Sequence, residues 1–305
     1  KLLWEKDFIE VDSPCLKPVV GMEPYLDPFL VTSPDGKEKG YLITSPEYSL
    51  KQMMATGLEK IFEITHTFRS GESGSSIHTK EFLMLELYVK GFDDTALRKF
   101  IVWLLEELLE NYFDSQKPES TNPKVKIQEK TVESVFIEHT GSGFQKTELI
   151  QNILHHHLSS SSKEELGTWQ YEDLFFLVFL NLVEPKLGDG ILFLYDYPAE
   201  CAALAKIEGG VAKRFEIYWD GIELANAFYE LTDADEQKER FTKEQILRKK
   251  LGKEIFPMDL DFLHALANGF PECSGISIGL DRLILKLANK SDLAEVSPYW
   301  KETMV

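Results

Sequence analysis

Arginine, phenylalanine, glutamate and tyrosine stand at strand spacing around Arg69, Phe82, Glu86 and Tyr88. Residues Ile61–Arg69 alternate. Glu63, Thr65, Thr67 and Arg69 take one face, and Phe62, Ile64, His66 and Phe68 take the other, which is the period of a strand. Phe82–Tyr88 alternates in the same way, with Phe82, Met84, Glu86 and Tyr88 together and Leu83, Leu85 and Leu87 opposite. Joined through the Ser- and Gly-rich loop Ser70–Lys80, the two strands make a long antiparallel hairpin. Pairing in register puts Arg69 on the face of Phe82, Glu86 and Tyr88. An aromatic plane, a guanidinium and a carboxylate on one open sheet face suit a nucleotide and an amine; the same pattern also describes a partly solvated sheet face.

A second stretch runs Arg214-Phe215-Glu216 and then Gly221-Ile222-Glu223-Leu224-Ala225-Asn226-Ala227-Phe228-Tyr229-Glu230. Asn226, Phe228 and Glu230 share a strand face. Glu216 and Glu223 flank a turn, and one or two carboxylates suffice for Mg²⁺ when phosphate oxygens complete its shell. Regular alternation gives Glu223 the wrong parity to stand beside Asn226, so a Mg²⁺ role requires a bulge or twist near Leu224. In so acidic a chain the two also read as surface carboxylates. The third stretch is Ser274–Arg282, where Gly275, Ser277 and Gly279 leave only small groups on one face. Such a face lets a flat ligand approach the backbone, and Arg282 follows at a helix start; a glycine strand shaped by packing alone fits equally. His155-His156-His157 is set aside as a metal site, because consecutive helical residues point apart and no cysteine or carboxylate spacing completes a zinc set.

These residues need elements to hold them. Ser45–Met54 reads as a helix, with Ser45 as its N-cap, Pro46 in the first turn and Gly57 beyond its end. Thr95–Phe113 repeats apolar residues at three- and four-residue spacing and reads as structural packing. Ser115–Lys130 is polar and carries two prolines, the marks of a surface connection. Ser159–Ser162 reads as a flexible surface loop and Tyr171–Val183 as helical. Ile191–Tyr195, Arg214–Trp219 and Ile222–Glu230 read as strands, the last two joined by the hairpin signal Asp220-Gly221. A helix begins at Thr232, with Asp235 placed as in a capping box. Ser274–Leu280 and Asp281–Ala288 close the chain as strand and helix. With no internal repeat and no clean linker, the expectation is one α+β domain over residues 1–305, an antiparallel sheet flanked by helices.

Composition excludes several classes. The 305 residues are 43% hydrophobic and 28% charged, as in ordinary globular proteins. The longest apolar runs, such as Phe175–Leu180, fall far short of the ~20 residues that span a membrane. No signal peptide is visible, although the chain begins with Lys1 rather than Met, which leaves its N-terminus open to truncation. Three widely spaced cysteines, Cys15, Cys201 and Cys273, argue against a disulfide framework and suit a reducing cytoplasm. The net charge of −18 repels nucleic acid at long range, and no long basic run offsets it.

Taken together, Thr44-Ser45-Pro46-Glu47-Tyr48, Phe68-Arg69 through Tyr88, Arg214 through Phe241 and Pro271 through Leu283 resemble the class II aminoacyl-tRNA synthetases. The likeness is to the lysyl type, and most closely to the truncated lysyl-tRNA synthetase paralogues that attach β-lysine to elongation factor P. Val11-Asp12-Ser13-Pro14 looks like the end of motif 1, whose proline lies at the dimer interface in that family. The resemblance covers nearly the whole chain, and the run Gly221–Ala234 is its most specific part.

What the resemblance implies can be stated residue by residue. Arg69 grips the α-phosphate of ATP and the substrate carboxylate. Phe82 stacks on adenine, and Arg282 packs on its other side and reaches the γ-phosphate. Glu216 and Glu223 hold Mg²⁺, with His78 nearby. Glu72 takes over an ATP contact from the preceding position, where the family usually has glutamate and this chain has Gly71. Glu230 and Tyr88 receive the terminal ammonium of the substrate, Glu47 and Glu86 its other amino group, and Asn226 its carboxylate; Ser45, Phe228 and Ser277 complete the amino-acid pocket. Ala227 replaces a usual glycine. Ser277 stands where lysyl-tRNA synthetases have glycine and the paralogues alanine, which leaves lysine and β-lysine both open as substrate. The expected enzyme is a cytoplasmic, homodimeric ligase that uses ATP and Mg²⁺ to form an aminoacyl-adenylate, releasing pyrophosphate and then AMP. The expected acceptor is elongation factor P rather than tRNA, because motif 1 ends near residue 14 and leaves no anticodon-binding domain within this chain. The alternative is the catalytic domain of a lysyl-tRNA synthetase. A non-catalytic sensor of the same fold is disfavoured by the intact Arg69, Glu216, Glu223 and Arg282.

Overall fold

A computed structural model describes residues 1–72, 75–116 and 125–296 of the chain. Parts of two expected loops, residues 73–74 of Ser70–Lys80 and 117–124 of Ser115–Lys130, lie outside the described residues. The chain divides into two compact units, Lys1–Pro118 with Glu230–Val305, and Glu119–Tyr229.

In the first unit the expected hairpin forms from Lys60–Phe68 and Glu81–Lys90. Its register pairs Thr67 with Phe82, Glu63 with Glu86 and Ile61 with Tyr88, so directly opposed side chains share a face. Cys273–Gly279 adds antiparallel to Glu81–Lys90, setting Gly275 against Tyr88 and Ser277 against Glu86. Ile9–Glu10 adds in parallel to the other edge. Glu63, though charged, is buried, because the backbone N–H and hydroxyl of Ser13 donate to its two oxygens at 2.9 and 2.8 Å. That bond ties the Val11–Pro14 stretch to the hairpin. Helices Glu47–Ala55, Asp94–Gln116 and Leu280–Leu287 pack on these strands.

Two helix starts differ from expectation. Ser45 does not cap Glu47–Ala55: Pro46 occupies the N-cap place and its carbonyl accepts from Ser49 and Leu50. The later helix runs Ala234–Lys250 rather than from Thr232, because the Asp233 carboxylate accepts from the backbone N–H of Asp235 and Glu236. A carboxylate there satisfies orphan donors directly and needs no box partner.

The second unit is built on Ile222–Tyr229, Val211–Trp219 and Ile191–Pro198, antiparallel in that order, with Ile127–Thr131 parallel to the last. The expected surface connection therefore ends in a strand, whose polar residues are only half-covered. The hairpin turn has Asp220 and Gly221 at φ 44° and 74°, the left-handed pair that a two-residue turn requires. The Phe136–Phe175–Phe179 stack, with ring centroids 5.1–6.2 Å apart, centres a core of buried helix and strand residues. Ser162, expected in a flexible loop, caps the helix Lys163–Thr168 in a reciprocal box with Glu165.

Candidate active site

Period-2 geometry in the first unit brings Glu86, Tyr88, Gly275 and Ser277 to one sheet face. Tyr88 Oη donates to Glu86 Oε1 at 2.6 Å, and Ser277 Oγ donates to Glu86 Oε2 at 2.9 Å. Gly275 is required by this packing: a Cβ there would lie 2.2 Å from the Tyr88 ring and 2.9 Å from Glu230 Oε1. Glu230 reaches the same place because its N–H pairs with the Cys273 carbonyl at 3.0 Å.

Across from these, Glu47 opens the helix Glu47–Ala55, where its charge also suits the helix dipole. Lys51 follows one turn later. Its Nζ lies 2.6 Å from both Glu47 Oε1 and Glu230 Oε2, and all three side chains are buried. Burial works against the Lys51 charge, but Glu230 and Glu47 outweigh it and hold its pKa above the ordinary lysine value. The carboxylates behave oppositely. Glu86 is pushed up to about 8 by burial and then by Glu47, against the bonds from Tyr88 and Ser277 and the charge of Lys51. Glu230 is likewise pushed up to about 8 by burial, with Lys51 opposing and Glu47 reinforcing. Low dielectric and like charge raise carboxyl pKa values in this way, so the cluster is short of cations.

At the hairpin's end the balance reverses. The Arg69 guanidinium lies 5.1 Å from the Phe82 ring centroid, and its Nη1 is 3.7 Å from Glu72. Its Nε is sealed from solvent without a hydrogen-bond partner. His78 is lowered by burial first and then by Arg282 and Arg69, with Glu72 opposing, so these groups lie within electrostatic reach of one another. Arg282 is steadied by its Nε bond to the Ile77 carbonyl at 3.3 Å. An orphaned buried donor, a second guanidinium and an open aromatic face fit a phosphate-bearing, aromatic ligand. Of the expected pocket residues in this unit, Ser45 stands apart: it lines a small cleft with Lys17, Val20, Tyr48 and Ser49.

Glu216, Glu223, Asn226 and Phe228 belong to the second unit. Glu216 pairs with Asn226 and Arg214 with Phe228, but the register then shifts: Ile217 faces Ala225 and Tyr218 faces Glu223, leaving Leu224 as an extra residue. This bulge is where alternation demanded one, and it turns Glu223 to the face of Glu216 and Asn226. Glu216 is already engaged. Oε1 takes Arg214 Nη2 at 2.5 Å, and Oε2 takes the hydroxyls of Tyr197 and Tyr218 at 2.5 and 2.6 Å. Among the described residues no group of three or more His, Cys, Asp or Glu forms a metal cluster. The carboxylates on this face are thus a pair, Glu216 and Glu223, and both tyrosine bonds to Glu216 fall on Oε2 while Oε1 takes Arg214.

Sequence reasoning missed Lys51. Its spacing of four from Glu47 signals only an ordinary helical ion pair, and nothing local says that the pair is buried. Tyr197 carried no sign at all.

Residues 1–303 match the family model of the class II tRNA synthetases (D, K and N). Curated relatives agree. The chain is 34% identical over 306 residues to the elongation factor P–(R)-β-lysine ligase of Pasteurella multocida (strain Pm70), covering 97% of this chain and 89% of that protein. It is 35% identical over 301 residues to proteins of the same name in Salmonella dublin and Salmonella paratyphi B, covering 96% of this chain and 88% of each.

Proposed function

The chain belongs to the class II tRNA synthetases of the D, K and N type, and on that premise we propose that it activates lysine or β-lysine with ATP and passes the acyl group to a lysine of elongation factor P. The observation that carries the reading is a carboxylate excess. Glu47, Glu86 and Glu230 are buried against one ammonium, Lys51. Burial and like charge hold Glu86 and Glu230 protonated where Lys51 alone cannot balance all three carboxylates, and the two ammonium groups of a diamino acid supply the cations that let them ionise. The name of these relatives supports β-lysine as the amino acid and elongation factor P as the acceptor.

In the activation step a substrate carboxylate oxygen attacks the α-phosphorus of ATP, and pyrophosphate leaves. Arg69 and Arg282 hold the phosphates as charge builds on them; a fixed donor in that role is typically worth roughly 3–4 kcal/mol. Phe82 stacks on the adenine, while Glu72 and His78 border the phosphates. Glu230 and Tyr88 take the terminal ammonium and Glu47 and Glu86 the other amino group, with Ser277 and Ser45 as the further lining. In transfer, the neutral amine of the acceptor lysine attacks the acyl carbonyl, AMP departs with the electron pair of the broken bond, and the amine gives up a proton. When bound, Mg²⁺ offsets charge on the phosphates. Glu223 and Glu216 are proposed to hold it, a reading supported by the face they share.

A homodimer through the Val11–Pro14 stretch belongs to the proposal and is supported by the exposed Ile9 and Ile64 on the adjoining strands and the exposed Trp4 in the short 3-10 turn before them. Three free thiols suit the cytoplasm, and no described helix is long and apolar enough to cross a membrane. The test is amino-acid-dependent exchange of pyrophosphate into ATP. Lysine or β-lysine supports it, and norleucine, which lacks the terminal ammonium, is activated about 10⁴-fold less, as expected of a site built to bond a polar group. Comparable exchange with norleucine removes the pocket from the account.

A further inference from the structure

The stretch before the Lys39–Leu42 strand carries a carboxylate that no motif marks. Glu23 is half-buried as a residue, yet its Oε2 is sealed from solvent and takes no hydrogen bond among the described residues. The fold makes room for it. A Cβ at Gly21 would stand 2.3 Å from Glu23 Oε2, so the carboxylate turns back into space that a side chain at position 21 would contest. The fold also fixes its backbone. Buried Arg248 donates to the carbonyls of Glu23 and Leu26 at 2.9 and 3.0 Å and to Asp27 Oδ1 at 2.9 Å. The Asp27 carbonyl accepts from the N–H of Ser70 at 2.7 Å, the residue after Arg69. Glu23 is thereby held within electrostatic reach of Glu47, Arg69 and Lys51. Burial, then Glu47, raises its pKa; its own backbone N–H, Arg69 and Lys51 pull the other way.

A sealed acceptor without a donor is costly to keep unless a ligand supplies the donor. An ammonium brings three N–H groups. Glu47 Oε1 already holds Lys51, and both oxygens of Glu86 are engaged by Tyr88 and Ser277. We propose that Glu23 is a substrate-recognition residue that acts beside Glu47 and Glu86, giving the amino group nearer the carboxylate of the diamino acid an acceptor oxygen that is not already engaged. The Asp27–Ser70 bond, which ties its stretch to the residue after Arg69, the proposed carboxylate grip, points to that amino group rather than the terminal one beside Glu230. The inference rests on the reading of this site as a diamino-acid pocket.

Calorimetric titration with lysine, (R)-β-lysine and 6-aminohexanoate tests it. The last compound keeps the carboxylate and the terminal ammonium and lacks the second amino group. Glu23→Gln is expected to weaken the better diamino ligand tenfold or more and to leave 6-aminohexanoate within about twofold. Should Glu23→Gln not fold, Glu23→Asp, which keeps the charge but withdraws it, is expected to show the same selective loss. Equal weakening of all ligands indicates a structural role and overturns the proposal, as does no weakening of any. If the unaltered protein binds none of the three, the pocket reading itself fails and this inference falls with it.

Discussion

Lys51 and Glu230, 2.6 Å apart and sealed from water, illustrate what one residue can and cannot disclose. That Phe82, Glu86 and Tyr88 share a face follows from alternation, and the register bears this out; Arg69, just past the paired strand, lies 5.1 Å from the Phe82 ring centroid. That Glu47 lies close to Glu230 depends on a helix meeting a residue 183 positions later in the chain, which no local pattern encodes. The same holds for Glu23, whose role rests on Gly21 and Arg248. The buried carboxyls make a prediction of their own. Glu86 and Glu230 sit near 8 against an ordinary value of 4.5. The folded, ligand-free protein therefore binds more protons than the unfolded chain between those values. Where the native state binds more protons, stability falls as pH rises, so these two groups make the empty protein less stable from about pH 4.5 to 8. Substrate ammonium groups favour the ionised carboxylates, so binding at pH 7 should release protons and tighten as pH rises from 6 to 8. Calorimetry in two buffers of different ionisation enthalpy reads that release. Proton uptake, or no exchange, would contradict the charge balance described.

Elements decide which residues share a face. The parity conflict at Glu223 was visible in the sequence, and the bulge at Leu224 resolves it. Its location was legible because a regular strand cannot place Glu223 and Asn226 together. Cap positions were less legible. Ser45 and Thr232 have the right chemistry for an N-cap, but Pro46 and Asp233 hold the place; neighbouring residues of similar propensity are separated only by backbone geometry. If the bulge serves Mg²⁺, Glu216→Gln and Glu223→Gln should each raise the Mg²⁺ concentration needed for half-maximal pyrophosphate exchange. Unchanged Mg²⁺ titrations in both variants would remove the metal pair.

At the scale of the whole molecule, charge bears on the acceptor. An acyl-adenylate can be attacked by a tRNA hydroxyl or a protein amine, and the activation site does not choose between them. Binding tRNA draws on many phosphate contacts and weakens steeply with salt, whereas this chain carries a net charge of −18. A compact protein acceptor demands far less positive surface. The α+β class was legible from strand and helix periods, but the division into two compact units was not: the polar, proline-bearing stretch around residue 118 reads only as a surface connection, and no composition shift marks residue 230. The most direct measurement is a side-by-side transfer assay at low salt, where tRNA binding has its best chance. The protein is given ATP, Mg²⁺ and radiolabelled lysine or (R)-β-lysine, with elongation factor P in one arm and lysine tRNA in the other. Label on elongation factor P with little or none on tRNA is the predicted result; efficient tRNA charging with no label on the protein would contradict it.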